Sequence, residues 1–200
     1  MQYTHDDRLR EGPAMVRLFT GFPLAEAVRR ELMEQQARLR SRREAVKWVS
    51  EQCLHLTAVF LGELAHDRIP ALCETLEQVA GRHEALVFQL AEPGFFGQPG
   101  RPRELWTGLT GPLESLSRLV EQLERGFRLQ GLVLDRRRYR PHITIGRVRD
   151  GGEALLVAHL ANGCLPLPVR LDHLVLYESR LAPEGPHYTE LAGFPLAGTT

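Results

Sequence analysis

Two histidines in this chain each stand two residues before a threonine in an apolar, strand-forming run. They are His55-Leu56-Thr57-Ala58-Val59-Phe60-Leu61 and, 87 residues on, His142-Ile143-Thr144-Ile145-Gly146-Arg147-Val148. On a β-strand residues i and i+2 share a face, so His55 points with Thr57 and His142 with Thr144, while Leu56, Ala58, Ile143 and Ile145 turn to a core. An unperturbed imidazole titrates near pH 6.5, so a facing pair can act as base and acid at neutral pH without a large shift. One ring takes a proton from an attacking water and the other gives one to the leaving oxygen. Hydroxyls beside them can donate to the non-bridging oxygens of a phosphoryl group, where negative charge accumulates. These residue types suit phosphodiester cleavage without metal. A catalytic zinc wants three protein ligands, usually with a carboxylate or third His near the others, and neither strand run carries an acid. Metal ligation therefore fits less well, and no cofactor is implied. A nucleophilic Thr57 or Thr144 fits less well again, because duplication supplies no separate base and orienting group.

The elements that must position these groups repeat with them. Arg17-Leu18-Phe19-Thr20-Gly21-Phe22 is answered 87 residues later by Glu104-Leu105-Trp106-Thr107-Gly108-Leu109, and Leu86-Val87-Phe88 at 88 residues by Leu174-Val175-Leu176. Three echoes in register imply a duplicated unit. Its halves, about 15–100 and 101–200, would face each other across a pseudo-twofold axis and bring a His-Thr strand from each into one cleft.

Hydropathy and turn signals predict strands over 16–22, 46–49, 54–61 (ended by Gly62), 86–90, 104–110, 142–148, 166–178 and 187–192. Helices are predicted from Leu24 to about Arg43, from a cap at Asp67 to Gly81, from 112 to about 130, and over 151–161. The Gly- and Pro-rich stretch 92–103 reads as the hinge between copies. The expected fold is α+β: one bilobal domain over 15–200, with two antiparallel sheets flanked by helices around a central cleft. Residues 1–14 lack periodicity and read as a disordered tail, with Met15 a candidate start.

Composition adds exclusions. The chain is 43% apolar and 25% charged with zero formal charge, an ordinary globular balance with no global field to recruit nucleic acid. Lys47 is the only lysine among 25 basic residues; arginine forks suit phosphate, though a genomic bias explains the imbalance equally well. Cys53, Cys73 and Cys164 are too few and too scattered for a disulfide framework or a metal knuckle. No apolar run nears 20 residues, so a cytoplasmic protein with no membrane partner is expected, and it is read as a monomer. His5, His66, His83, His159, His173 and His187 read as surface or loop residues.

The two motifs, with their flanks, resemble the two-histidine (2H) phosphoesterases and, more closely, their RNA 2′,3′-cyclic phosphodiesterase branch, the LigT or 2′-5′ RNA ligase family. The resemblance rests on Arg17-Leu18-Phe19, Lys47-Trp48-Val49, His55-Leu56-Thr57, Phe60-Leu61-Gly62, Leu105-Trp106, Arg140-Pro141-His142-Ile143-Thr144 with Arg147, Leu176-Tyr177-Glu178-Ser179 and Gly185-Pro186-His187-Tyr188, and runs from Met15 to Leu196. It implies metal-independent hydrolysis of an RNA or nucleotide 2′,3′-cyclic phosphate to the 2′-phosphomonoester, with a 2′-5′ ligase reaction as a further capacity. It also implies His55 as proton donor, His142 as proton acceptor, and Thr57 and Thr144 as phosphate-holding groups. Phe60 and Arg147, each fifth after its His, would bracket the nucleobase. Strict alternation instead sends both to the core, so the strand must bulge or end after the Thr, as Gly146 allows in the second copy. Tyr188 and Ser179 would sit near the cleft rim, and Arg136-Arg137-Arg138-Tyr139-Arg140 could guide an RNA strand. Two other readings keep these residues: another small cyclic phosphate such as ADP-ribose cyclic phosphate as substrate, or a non-catalytic module that binds RNA ends or nucleotides.

Overall fold

The computed structural model describes residues 14–40, 45–150, 152–183 and 185–198. In chain order the elements are β1 (Met15–Pro23), α1 (Glu26–Leu39), β2 (Ala45–Trp48), β3 (His55–Ala65), α2 (Ile69–Ala80), β4 (Leu86–Gln98), β5 (Arg101–Thr110), α3 (Leu113–Leu129), β6 (Ile143–Asp150), α4 (Glu153–Leu160), β7 (Pro168–Leu171), β8 (His173–Ala182) and β9 (Gly185–Pro195). The strands form two antiparallel sheets, ordered β3-β1-β8-β9 and β2-β6-β5-β4-β7. The expected α+β class with two antiparallel sheets is what the chain adopts.

The sheets do not divide the chain at its midpoint. The orders β3-β1-β8 and β6-β5-β4 correspond strand for strand, so the matching core of each sheet takes two strands from one half and one from the other. The helices cross over too: α2 and α3 cover the β1/β3 sheet, while α1 and α4 lie on the sheet containing β5 and β6. On α3, Leu116, Leu119, Val120, Leu123 and Phe127 recur at helical spacing, and all are completely buried. Each contributes about 1.5–3 kcal/mol relative to exposure.

Several local expectations give way to tertiary packing. Stretch 92–103 is not a hinge. β4 runs through it to Gln98, and β5 returns from Arg101, as a hairpin inside one sheet. Its glycines serve close approach: a Cβ on Gly94 would collide with the Trp106 ring, and Gly97 has φ +112°. The Gly94→Ala variant is therefore expected to lose roughly 1–3 kcal/mol in chemical denaturation; unchanged stability would show that Trp106 can move aside. Gly62 does not end β3, which continues to Ala65 with Gly62 at φ +83°.

Asp67 does not cap α2. It lies in a 3-10 turn over His66–Arg68, and Arg68 occupies the cap position without a capping side-chain bond. The first helix starts at Glu26 and ends at Leu39, with Arg40 as its C-cap, while residues 41–44 lie outside the described set. The strand expected over 166–178 breaks at Asp172 into β7 and β8. Of the tail expected over 1–14, residues 1–13, His5 among them, also lie outside the described set; Ala14 is described, and its carbonyl accepts the His66 amide. His159 is not a surface residue. It is fully buried on α4, its Nε2 donating to the Gly94 carbonyl at 2.9 Å.

Candidate active site

β1 is central in its sheet and β3 lies along its edge, where β3 contacts both α3 and β6 of the other sheet. Leu56, Ala58, Val59 and Leu61 are buried, whereas His55 and Thr57 are half-buried and Phe60 is 61% exposed. Two bulges explain this order. Between the pairs Leu18↔Gly62, Phe19↔Phe60, Thr20↔Val59 and Gly21↔Thr57, the residues Leu61 and Ala58 are left without partners. The Ala58 bulge resets the alternation and returns Phe60 to the face of His55 and Thr57.

β6 repeats the device. The pairs Leu105↔Gly146 and Trp106↔Thr144 leave Ile145 as the extra residue, and Arg147 emerges on the face of Thr144. The Ile145 carbonyl is held by the Val49 amide at 3.0 Å and by Nε2 of the buried Gln36 at 3.0 Å. Gly146 beside it leaves room for Val46 and Trp48, which approach within 2.8 and 3.0 Å of where its Cβ would lie.

The two faces enclose a cleft of about 1110 Å³ whose walls include His55, Thr57, Phe60, His142, Thr144, Arg147 and Tyr188. Each imidazole is tethered through Nδ1–H to the carbonyl two residues before it: His55 to Cys53 at 2.8 Å and His142 to Arg140 at 2.7 Å. Nε2 is thereby left for chemistry in both rings. Each ring also rests on aromatic neighbours. His55 lies 4.8 Å from Phe19 and 5.2 Å, edge-on, from Tyr188; His142 lies 4.8 Å from Phe96 and 6.1 Å from Trp106. Phe19 and Trp106 are 87 residues apart, so the echo first noted as framework supplies a ring beneath each His.

The two halves differ in where their threonine protons go. Thr57 donates to His55 Nε2 at 2.8 Å, whereas Thr144 donates to the Glu104 carboxylate at 2.5 Å. His55 is also desolvated. Burial among the rings, with smaller contributions from Arg147 and His142, lowers its pKa to about 4, against a weaker opposing effect of its bond to the Cys53 carbonyl. In the free protein His55 is therefore neutral at pH 7 and accepts through Nε2.

The expected NMR titration of His55 is centred near pH 4 in ligand-free protein and higher with phosphate in the cleft. A midpoint near 6.5 without ligand would contradict the burial. Because the folded pKa lies below the unfolded value, the unfolded chain binds the extra proton first. Stability is then lost as pH falls from 6.5 through 4, by roughly 3 kcal/mol from this group.

The remaining expected site residues separate. Arg137, Arg138, Tyr139 and Arg140 of the basic loop line the cleft, but Arg136 is not part of its wall. Tyr139 packs partly on the core, and its hydroxyl donates to the Thr57 carbonyl at 2.9 Å. The Arg140 guanidinium lies 5.7 and 5.6 Å from the centroids of Phe96 and Trp106. Ser179 pairs with Tyr188 across β8 and β9 but does not reach the cleft wall. His187, expected at the surface, lines the cleft, as do Lys47 and Glu104, which received no role from sequence. Among the described residues no group of three or more His, Cys, Asp or Glu side chains is placed to hold a metal ion, and no helix is long and apolar enough to cross a membrane.

Comparison with known proteins follows the same outline. A family profile described as 2′-5′ RNA ligase superfamily matches residues 25–182. An RNA 2′,3′-cyclic phosphodiesterase of Thermotoga maritima is 31% identical over 179 residues, 88% of this chain and 93% of its own. Among solved structures, a Thermus thermophilus protein superposes with a TM-score of 0.81 at 28% identity, covering 92% of this chain and 100% of its own. The E. coli LigT complex with 3′-AMP superposes at 0.75 with 26% identity, covering 92% and 99%.

Proposed function

The chain belongs to the 2′-5′ RNA ligase superfamily, and from that premise we propose that it is a metal-independent RNA 2′,3′-cyclic phosphodiesterase that opens the cyclic phosphate to a 2′-phosphomonoester. The observation that carries this reading is the convergence of two tethered imidazoles, each with a threonine on its own face, on one cleft. The relative from Thermotoga maritima bears that activity in its name, and E. coli LigT binds an adenosine monophosphate.

In this mechanism the hydroxyls of Thr57 and Thr144 hold the non-bridging oxygens of the cyclic phosphate. Neutral His142 takes a proton from water through Nε2, and the water oxygen bonds to phosphorus. The P–O3′ bond breaks, and O3′ receives the proton of His55 Nε2. Phe60 and Arg147 bracket the base. His55 must be charged for its part, and an anion bound beside it favours the cation. Once Nε2 carries a proton it becomes the donor to Thr57, freeing the Thr57 hydroxyl to turn to the phosphate. A 5′-hydroxyl in place of water would join two RNAs through a 2′-5′ bond by the same attack. The protein acts as a monomer in the cytoplasm, where its three free cysteines stay reduced.

One observation favours the reverse assignment, His55 as base and His142 as acid: the neutral Nε2 of His55 in the free protein. A cyclic phosphate with sulfur at the 3′ bridging position, whose leaving group needs little protonation, separates the two assignments.

The substrate is tested by rates in excess EDTA on a cyclic mononucleotide, a cyclic-ended oligoribonucleotide and ADP-ribose cyclic phosphate. Turnover of the first two ahead of the third is expected. Preference for the third would move the substrate to small non-RNA cyclic phosphates, and binding without product between pH 5 and 8 would make the protein a non-catalytic binder.

A further inference from the structure

Three carboxylates line the cleft, and two of them are neutralised locally. Glu124 pairs with Arg128 at 2.9 Å and Asp135 with Arg137 at 2.6 Å. Glu104 instead accepts the hydroxyl of Thr144. It stands opposite Arg147 in the β5/β6 ladder, so its side chain shares the cleft face. The equivalent position in the first half is Arg17, 87 residues earlier, and Thr57 gives its proton to His55 rather than to an acid. An acid beside one threonine, in a wall that also carries Lys47, Arg138, Arg140 and Arg147, opposes the attraction of that wall for anions.

We propose that Glu104 is a positioning residue that sets the charge preference of the site, favouring a monoanionic phosphodiester over a dianionic phosphomonoester and so promoting product release. This inference rests on the reading of Thr144 as a phosphate-holding group.

A threonine hydroxyl has one proton. When Thr144 turns it to a phosphoryl oxygen, the Glu104 carboxylate loses its donor and its charge faces the ligand through one oxygen atom. A cyclic diester meets that charge with one negative charge of its own. Hydrolysis adds water, breaks P–O3′ and leaves a monoester whose second proton goes to solvent above about pH 6. The ligand then meets Glu104 with nearly two charges, so the product is repelled more strongly than the substrate. Lys47 and Arg147 act on both forms in the opposite sense. Their attraction is also greater for the dianion, and Glu104 offsets part of that extra attraction.

The test compares, at pH 8, the dissociation constant of a nucleoside 2′-monophosphate with KM for the matching 2′,3′-cyclic nucleotide in three proteins. Glu104→Gln keeps an acceptor for Thr144 and removes the charge; Glu104→Asp keeps the charge. Relative to wild type, the ratio of product dissociation constant to substrate KM is expected to fall about tenfold in Glu104→Gln, the scale of one unit charge at close range in a part-exposed site. In Glu104→Asp it is expected to stay within about twofold, because the charge remains. A purely structural acid would move both constants in parallel. An unchanged ratio in Glu104→Gln, or equal shifts in the two variants, would overturn the inference while leaving the phosphodiesterase reading intact. Wild-type protein that turns over no cyclic nucleotide would overturn both.

Discussion

Replacing His55 or His142 by alanine is expected to lower kcat on a 2′,3′-cyclic nucleotide by about 10³-fold, within the 10²- to 10⁴-fold span of a positioned proton-transfer group. Neither ring carries the fold. Each is held by one backbone carbonyl and by neighbouring rings, His55 also by the Thr57 hydroxyl, at the wall of the cleft rather than in the apolar core. The loss should therefore appear in activity and not in the circular dichroism of the variants. Because the two groups act in one transition state, the double variant should be scarcely slower than the worse single one. A cyclic phosphate with sulfur at the 3′ bridging position needs little protonation as it leaves. That substrate should rescue His55→Ala and not His142→Ala; rescue of His142→Ala alone would reverse the assigned roles.

Thr57→Val and Thr144→Val keep the shape of the side chain and remove its hydroxyl. Each is expected to lower kcat/KM by about 10²- to 10³-fold, the cost of one preorganised donor to a developing charge. Thr57→Val should be the more damaging. Its hydroxyl also touches His55 Nε2 at 2.8 Å, so the ring loses a partner as well as the phosphate losing a donor. Thr144→Val frees Glu104 of its donor and should weaken binding more than turnover. Steady-state kinetics on the cyclic mononucleotide separates these effects, and losses under about tenfold in both variants would remove the threonines from the phosphate site.

The His and Thr residues were legible because alternation along a strand is a short-range rule, and the motif recurs at one offset. Phe60 was legible only by resemblance. Ala58-Val59-Phe60-Leu61 is continuously apolar, so a bulge leaves no mark in it, and its place emerges only when β1 pairs with β3 and skips Ala58 and Leu61. Arg147 follows the same logic one strand pair away. There the bulge falls at Ile145, next to the Gly146 that hinted at it, and its carbonyl is secured by Gln36, a fully buried polar residue of α1.

The Gly- and Pro-rich stretch misled because those residues mark close packing as well as turns. Gly94 lies under Trp106, and Pro93 sits beside an irregularity in the β4/β5 ladder. The bond from the Tyr139 hydroxyl to the Thr57 carbonyl ties the basic loop to β3, a long-range contact with no mark in the local sequence. The exchange of β4 and β8 between sheets was not legible either, since the echo at 88 residues identifies equivalent strands without saying which sheet each joins.

The most direct measurement is ³¹P NMR of a 2′,3′-cyclic nucleotide incubated in excess EDTA with wild-type protein, His55→Ala and His142→Ala. A single new 2′-phosphomonoester resonance from the wild type, absent with both variants, is the expected result. No product from the wild type, a 3′-phosphomonoester, or undiminished turnover by either variant would contradict the two-histidine acid-base account.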